Sequence, residues 1–242
     1  MKEVIFEITE NAAIAEDVYR LRLRGDTSAI KKAGQFVNIK IEGAFLRRPL
    51  SVCDKENDTL TVCYRVAGKG TESLSKTESG SLSVLTGLGN GFDSSAAGEK
   101  PLLIGGGMGF TPLYLLAKQL KNPTVVLGFN TASEVVYEDE FKALGAEVIV
   151  TTADGSCGKK GFVTDAMKDL DYTYFYACGP EAMFAAINEV AATEGEFSFE
   201  ARMGCGFGAC MGCTCETITG GKRICKDGPV LKRSEIIWQT LK

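Results

Sequence analysis

The sequence predicts a β + α/β chain in three consecutive parts, and three observations carry that expectation. Up to about residue 98, short runs alternate apolar and polar residues with a period of two, the pattern of half-buried antiparallel strands. From 99 to 200, short apolar runs alternate with helical stretches, the pattern of a parallel, doubly wound sheet. From 201 to 242 no strong periodicity remains, and four cysteines are gathered there instead.

In the first part, the charged start Met1-Lys2-Glu3-Val4-Ile5-Phe6 reads as the opening of a strand and not as a signal peptide. Residues 18–23, 36–41 (after a turn at Gly34) and 59–65 follow as strands, with a short helix over 71–77. Such a segment closes as an antiparallel barrel or sandwich. In the second part, strands are expected at 102–104, 125–127, 148–150 and 172–177. A helix opens at Thr111-Pro112, with Thr111 as N-cap and Pro112 in the first turn. Two more helices are expected over 134–144 and 180–194.

The third part carries the sharpest chemical signal. Cys205, Cys210 and Cys213 are spaced C-x4-C-x2-C, and Cys225 follows a short polar, hairpin-like stretch. That is the ligand spacing of plant-type [2Fe–2S] centres. Gly204, Gly206, Gly208 and Gly212 let the backbone approach an anionic cluster without Cβ clashes. Structural zinc sites pair two C-x2-4-C knuckles, and only Cys210–Cys213 fits that form. The chain has no histidine, which excludes Rieske-type ligation. A disulfide framework suits short secreted chains and is the blander alternative. Cys215, two residues past Cys213, would point away in an extended strand and is read as a non-ligand.

Two loops suggest a nucleotide. Gly105-Gly106-Gly107-Met108-Gly109 joins a strand to a helix start, where glycines admit a pyrophosphate to the helix N-terminus. It is neither the G-x-G-x-x-G fingerprint nor a P-loop. Cys178-Gly179-Pro180 ends the last expected strand, and ligands of open α/β sheets lie at the carboxyl ends of strands. A buried, purely structural Cys178 is the simpler alternative for that residue. No arginine occurs between Arg65 and Arg202, whereas Glu134 and Glu138-Asp139-Glu140 follow the second strand, so NAD is favoured over NADP. Lys159 and Lys160 are the only cations placed to argue otherwise. In the first part, Arg47-Arg48-Pro49-Leu50-Ser51, Cys63-Tyr64-Arg65 and Gly70-Thr71 could hold a diphosphate, although basic runs on a β domain are more often solvated surface.

Composition excludes several classes. Of 242 residues, 45% are hydrophobic and 24% charged, and the net charge is −4, so nucleic acid is not an expected partner. No apolar run reaches the length of a membrane span. Nine cysteines without an export signal suit a reducing cytoplasm.

With these regions in this order, the chain resembles the ferredoxin–NADP reductase superfamily over essentially its whole length. Within it, the chain is similar to the electron-transfer subunits of class 1B dihydroorotate dehydrogenases. Arg48-Pro49-Leu50-Ser51 matches that family's R-P-x-S flavin motif, and Cys63-Tyr64-Arg65 and Gly70-Thr71 match its later FAD contacts. Gly105 to Gly109 and Cys178-Gly179-Pro180 match its pyridine-nucleotide loops, and Cys205, Cys210, Cys213 and Cys225 match its cluster ligands. The resemblance implies an FAD-binding β-barrel over 1–98, an NAD-binding domain over 99–200 and a [2Fe–2S] domain over 201–242. It also implies a cytoplasmic partner subunit that oxidises dihydroorotate at FMN, two of each chain forming a heterotetramer in pyrimidine biosynthesis. Related subunits serve sulfide dehydrogenase and NADH-dependent ferredoxin:NADP oxidoreductase complexes. A redox-sensing or zinc-binding module without turnover is the non-enzymatic alternative. The family carries an aromatic residue within 154–161, where this chain has Cys157.

Overall fold

A computed structural model describes residues 1–240. The first part comprises β1 (Lys2–Ala15), β2 (Val18–Arg24), β3 (Phe36–Ile39), β4 (Arg48–Glu56), β5 (Thr59–Arg65), α1 (Lys69–Ser75) and β6 (Ser81–Leu88). The six strands close into an antiparallel barrel in the order β1-β2-β5-β4-β3-β6. The alternation in β2 has a direct outcome. Val18, Leu21 and Leu23 enter the core, while Arg20 and Arg24 point outward to Glu10 and Glu7 on β1. β4 and β6 are too polar to stand out in the sequence, and β4 also carries a bulge between Val52 and Asp54. They become strands because β3 and β5 offer them paired edges.

The second part continues with β7 (Pro101–Gly106), α2 (Phe110–Ala117), β8 (Thr124–Phe129), α3 (Glu138–Ala143), β9 (Glu147–Thr152), β10 (Lys159–Lys160), α4 (Val163–Met167), β11 (Tyr174–Cys178), α5 (Glu181–Val190) and β12 (Gly195–Ser198). The tail adds β13 (Thr214–Thr217), β14 (Gly220–Arg223) and β15 (Val230–Lys232). The sheet runs β10-β9-β8-β7-β11-β12-β15. All its neighbours are parallel except β15, which pairs antiparallel with β12. β13 and β14 form a separate hairpin.

Two local expectations need correction. The N-cap of α2 is Gly109 and not Thr111, and no side chain caps that helix. The glycine turn feeds the helix directly, so its first amides remain available to a ligand. The stretch 134–144 is not one helix. A short 3-10 turn at Ala132–Glu134 is separated from α3 by Tyr137, whose left-handed backbone (φ 66°) interrupts the helix. In addition, α4 and β12 are elements without a periodic signature in the sequence.

One hydrophobic core runs without a break from the barrel into the sheet, joining Phe6, Leu23 and Val62 to Phe110, Leu113 and Leu127. α2 lies between the two parts. At its end Lys118 reaches back to Asp54 (2.9 Å) and Glu56 on β4. The lysine contacts both carboxylates, and the Asp54 side chain is partly shielded, which places this pair at the upper end of surface bridges. Lys118→Met is expected to cost about 1 kcal/mol in urea unfolding. An unchanged midpoint would show that packing of α2 alone fixes the two parts.

Candidate functional site

Two adjoining cavities lie where the barrel, the sheet and the tail meet. The first, of about 270 Å³, is walled by β4 and β5 through Pro49, Leu50, Ser51, Cys63, Tyr64 and Arg65. The sheet and the tail complete it with Thr111, Glu200, Met203 and Pro229. Six of the expected flavin residues therefore share one concave surface. Tyr64 is fixed in it by stacking on Tyr19 (centroids 5.6 Å apart) and by donating to Asn11 Oδ1 at 3.0 Å. Burial pushes its hydroxyl up to about 12, so the phenol stays protonated. Cys63 turns its thiol away and donates to Tyr137 Oη at 3.3 Å, leaving its backbone to line the wall.

Arg48, Gly70 and Thr71 stand beside this cavity and not in its wall. A Cβ on Gly70 would meet the Arg48 guanidinium at 2.7 Å, so the glycine makes room for the arginine. Thr71 Oγ1 accepts from the Ala67 and Gly68 amides and so holds the turn that starts α1. The two arginines of the expected fork have separate tasks. Arg47 is committed to the barrel through Glu3 and the Ser83 carbonyl, whereas Arg48 bonds only the nearby Leu46 carbonyl among described residues. Neither Arg48 nor Arg65 makes an ion pair among the described residues, and both remain free for phosphate.

The second cavity, of about 770 Å³, opens over the carboxyl ends of β7, β8, β9 and β11. Gly106, Gly107, Met108, Gly109, Gly179 and Pro180 line it. Its two loops are pressed together. A Cβ on Gly109 would stand 1.9 Å from the Cys178 carbonyl oxygen, and one on Gly106 would stand 2.5 Å from Met183 Sδ. Gly105 and Cys178 lie behind the surface. Cys178 is fully buried, and burial holds its thiol protonated, so its part in the site is to shape the loop. Glu134 lines the cavity and accepts from the Asn130 amide at 3.2 Å. Glu138 is turned to Lys142, and Lys159 to Asp169. Cys157 is held by Thr152, its amide donating to Thr152 Oγ1 at 3.0 Å, while the exposed aromatic ring on this rim is Phe162.

Arg65, Met108 and Glu200 belong to both cavities, which therefore adjoin along one shared wall. Glu200 is exposed along this cleft, and partial desolvation by the surrounding walls raises its carboxyl above the ordinary range. Glu200, Met203, Pro229 and Phe162 were not legible in the sequence. Position after the last helix, one strand further on, is the only signal that could have drawn attention to Glu200.

The four cysteines stand as two facing pairs. Cys205 faces Cys210 at the surface, and Cys213 faces Cys225 in the core beside Phe197 and Ile224. Backbone amides converge on the sulfurs: Ala209 N donates to Cys205 Sγ at 3.2 Å and Cys225 N to Cys213 Sγ at 3.4 Å. Burial opposes ionisation of Cys205, but amides of Phe207, Cys210 and Ala209 and the Cys210 thiol outweigh it and bring the thiol down to about 6. Cys225 moves the other way, to about 12, through burial and the neighbouring Cys213 sulfur. Two pairs suit a [2Fe–2S] cluster, which takes two thiolates on each iron. Cys215 lies in the hairpin opposite Lys222.

Comparison with known proteins agrees with this geometry. Residues 200–237 match the iron–sulfur cluster binding domain of dihydroorotate dehydrogenase B, and residues 103–189 match the oxidoreductase NAD-binding domain. The chain is 40% identical over 255 residues to the dihydroorotate dehydrogenase B (NAD(+)) electron transfer subunit of Bacillus pumilus (strain SAFR-032), covering 98% of each chain. It is 43% identical over 249 residues to the same subunit of Geobacillus thermodenitrificans (strain NG80-2), covering 95% of this chain and 96% of that one. A solved structure of an NADH-dependent reduced ferredoxin–NADP oxidoreductase, described for flavin-based electron bifurcation, superposes with a TM-score of 0.87 at 33% identity. That match covers 98% of this chain and 91% of the other.

Proposed function

The chain belongs to the family of dihydroorotate dehydrogenase B electron transfer subunits, and from that footing we propose that it receives electrons from an FMN-bearing, dihydroorotate-oxidising subunit and delivers them to NAD+. The observation that carries this reading is the continuity of its three sites. The first cavity shares Arg65, Met108 and Glu200 with the second, and its floor residues Met203 and Pro229 belong to the cysteine-bearing tail.

When bound, the [2Fe–2S] cluster passes electrons singly and FAD gathers them for hydride transfer, chemistry that no side chain supplies. The chain binds, orients and shields. Arg48 and Arg65 offer planar guanidiniums to the FAD diphosphate, and Ser51, Tyr64 and the backbone at Cys63 shape the flavin wall. The uncapped start of α2 and the loops at Gly107 and Gly179 receive the NAD pyrophosphate. Glu134 is placed for ribose hydroxyls and would repel a 2′-phosphate, while Lys159 is already engaged by Asp169. The outer pair Cys205–Cys210 gives the cluster an edge at the surface, facing the partner, and the inner pair Cys213–Cys225 gives it one in the core. Two copies of each subunit would form the assembly. No helix among the described residues is long and apolar enough to cross a membrane. We place the complex in the cytoplasm, which keeps its nine free cysteines reduced.

The likeness to the NADH-dependent ferredoxin–NADP oxidoreductase supports a second reading, in which reduced ferredoxin feeds the same wire. Co-expression with a candidate FMN subunit separates them. Dihydroorotate-dependent reduction of NAD+, with NADP+ at least about tenfold poorer in kcat/KM, is the expected result. Turnover with reduced ferredoxin and none with dihydroorotate would overturn the first reading.

A further inference from the structure

We infer that Arg223 is a positioning residue for the cluster, setting its reduction potential through a single peptide group of the ligand loop; the inference rests on the electron-transfer reading above. Arg223 ends β14, two residues before Cys225. Its Nη1 donates to the Gly208 carbonyl at 3.0 Å, and its Nε and Nη2 donate to Asp227 at 2.9 and 3.3 Å. The Gly208 carbonyl belongs to the same peptide group as the Ala209 amide, and that amide donates to Cys205 Sγ at 3.2 Å. One relay therefore runs from the guanidinium through the Gly208–Ala209 peptide to a sulfur of the outer pair. Hydrogen bonds in such a chain polarise one another, and a cation at its far end makes the amide a stronger donor.

The same side chain ties the two ligand pairs together. Gly208 lies between Cys205 and Cys210, while Asp227 follows Cys225, and Arg223 grips both segments. Bonded to the Gly208 carbonyl on one side and to Asp227 on the other, the guanidinium holds a cation against the ligand loop. Gly208 has a left-handed backbone (φ +93°), and a Cβ there would meet Lys226 at 2.6 Å, so the loop has little freedom to present another carbonyl. Reduction adds a negative charge to an anionic cluster. A stronger amide donor and a nearby cation both favour the reduced form and raise the potential.

The test is a redox titration of the purified full chain, followed by its electron paramagnetic resonance signal and visible absorbance, with flavin content as the check of folding. Arg223→Met removes the cation and its hydrogen bond to the Gly208 carbonyl while leaving Asp227 without its guanidinium partner, so the reduction equilibrium should shift about tenfold toward the oxidised form, 59 mV for one electron. Asp227→Asn keeps the Gly208 bond and leaves the cation less neutralised, so its potential should rise. Arg223→Lys should recover part of the loss. A chelator should strip iron from Arg223→Met roughly 10 to 100 times faster than from wild type, as for other outer-sphere changes. If Arg223→Met retains no cluster, the rise in Asp227→Asn decides the matter. Potentials that stay within about twofold of the wild-type equilibrium, or that move in the same direction in both variants, would overturn the inference and leave the electron-transfer reading intact. Wild-type protein isolated anaerobically without a cluster would overturn both.

Discussion

Cys205→Ser and Cys225→Ser are each expected to bring iron and labile sulfide to background and to abolish electron delivery from the partner subunit. Cys205 is half of the outer pair and Cys225 half of the buried inner pair, so each change leaves one iron with a single thiolate. The loss should exceed the roughly 100-fold that outer-sphere changes cause, because here a ligand itself is removed. The two cavities contain none of the four sulfurs, so FAD should stay bound. NADH should therefore still reduce an artificial acceptor in the same variants. Cys215→Ser supplies the contrast. Cys215 sits in the hairpin opposite Lys222, and its replacement should leave iron content unchanged. A Cys215→Ser protein without iron would mean that the wrong four cysteines are assigned.

Gly109→Ala is expected to be the most damaging small change in the nucleotide site. The new methyl would stand 1.9 Å from the Cys178 carbonyl oxygen and 2.5 Å from its carbon, both backbone atoms of a central strand. Neither can swing aside as a flexible side chain could. Relief requires α2 to move away from β11, which separates the two loops that share the cavity floor. Overpacking of this kind costs about 1–3 kcal/mol, and 1.4 kcal/mol is a factor of ten in affinity. A rise of ten- to a hundredfold in KM for NAD, with iron and flavin content unchanged, is the outcome to measure by steady-state kinetics. A wild-type KM would show that the loops do not need this contact.

The residues that announced themselves in the sequence were those whose chemistry depends on local spacing. The glycine loop and Cys178-Gly179-Pro180 are contiguous runs that stand at strand ends, while Cys205, Cys210 and Cys213 share one loop and Cys225 returns to them beyond the β13–β14 hairpin. Four of the six barrel strands were visible, β1 by its opening residues alone. β2, β3 and β5 alternate clearly, whereas β4 and β6 are specified by the edges they fill. The expected cap at Thr111 failed because the turn at Gly107–Gly109 already winds the backbone into the helix, which places Thr111 inside its first turn and buries it. A helix that leaves its first amides uncapped is favourable when an anion can take them.

Ligand spacing and loop composition, as local properties of the polymer, pointed to an iron–sulfur cluster in the tail and a nucleotide in the middle part, whereas the flavin came from the family resemblance. How the candidate sites adjoin was decided by tertiary structure alone. The sequence separates Arg65, Met108 and Glu200 widely, yet closure of the barrel and the β7–β11–β12 stack bring them to one wall between two cavities. Arg223 and Gly208 are likewise joined only because the hairpin folds back onto the ligand loop. These contacts are long-range and depend on sheet order and packing, which no window along the chain contains.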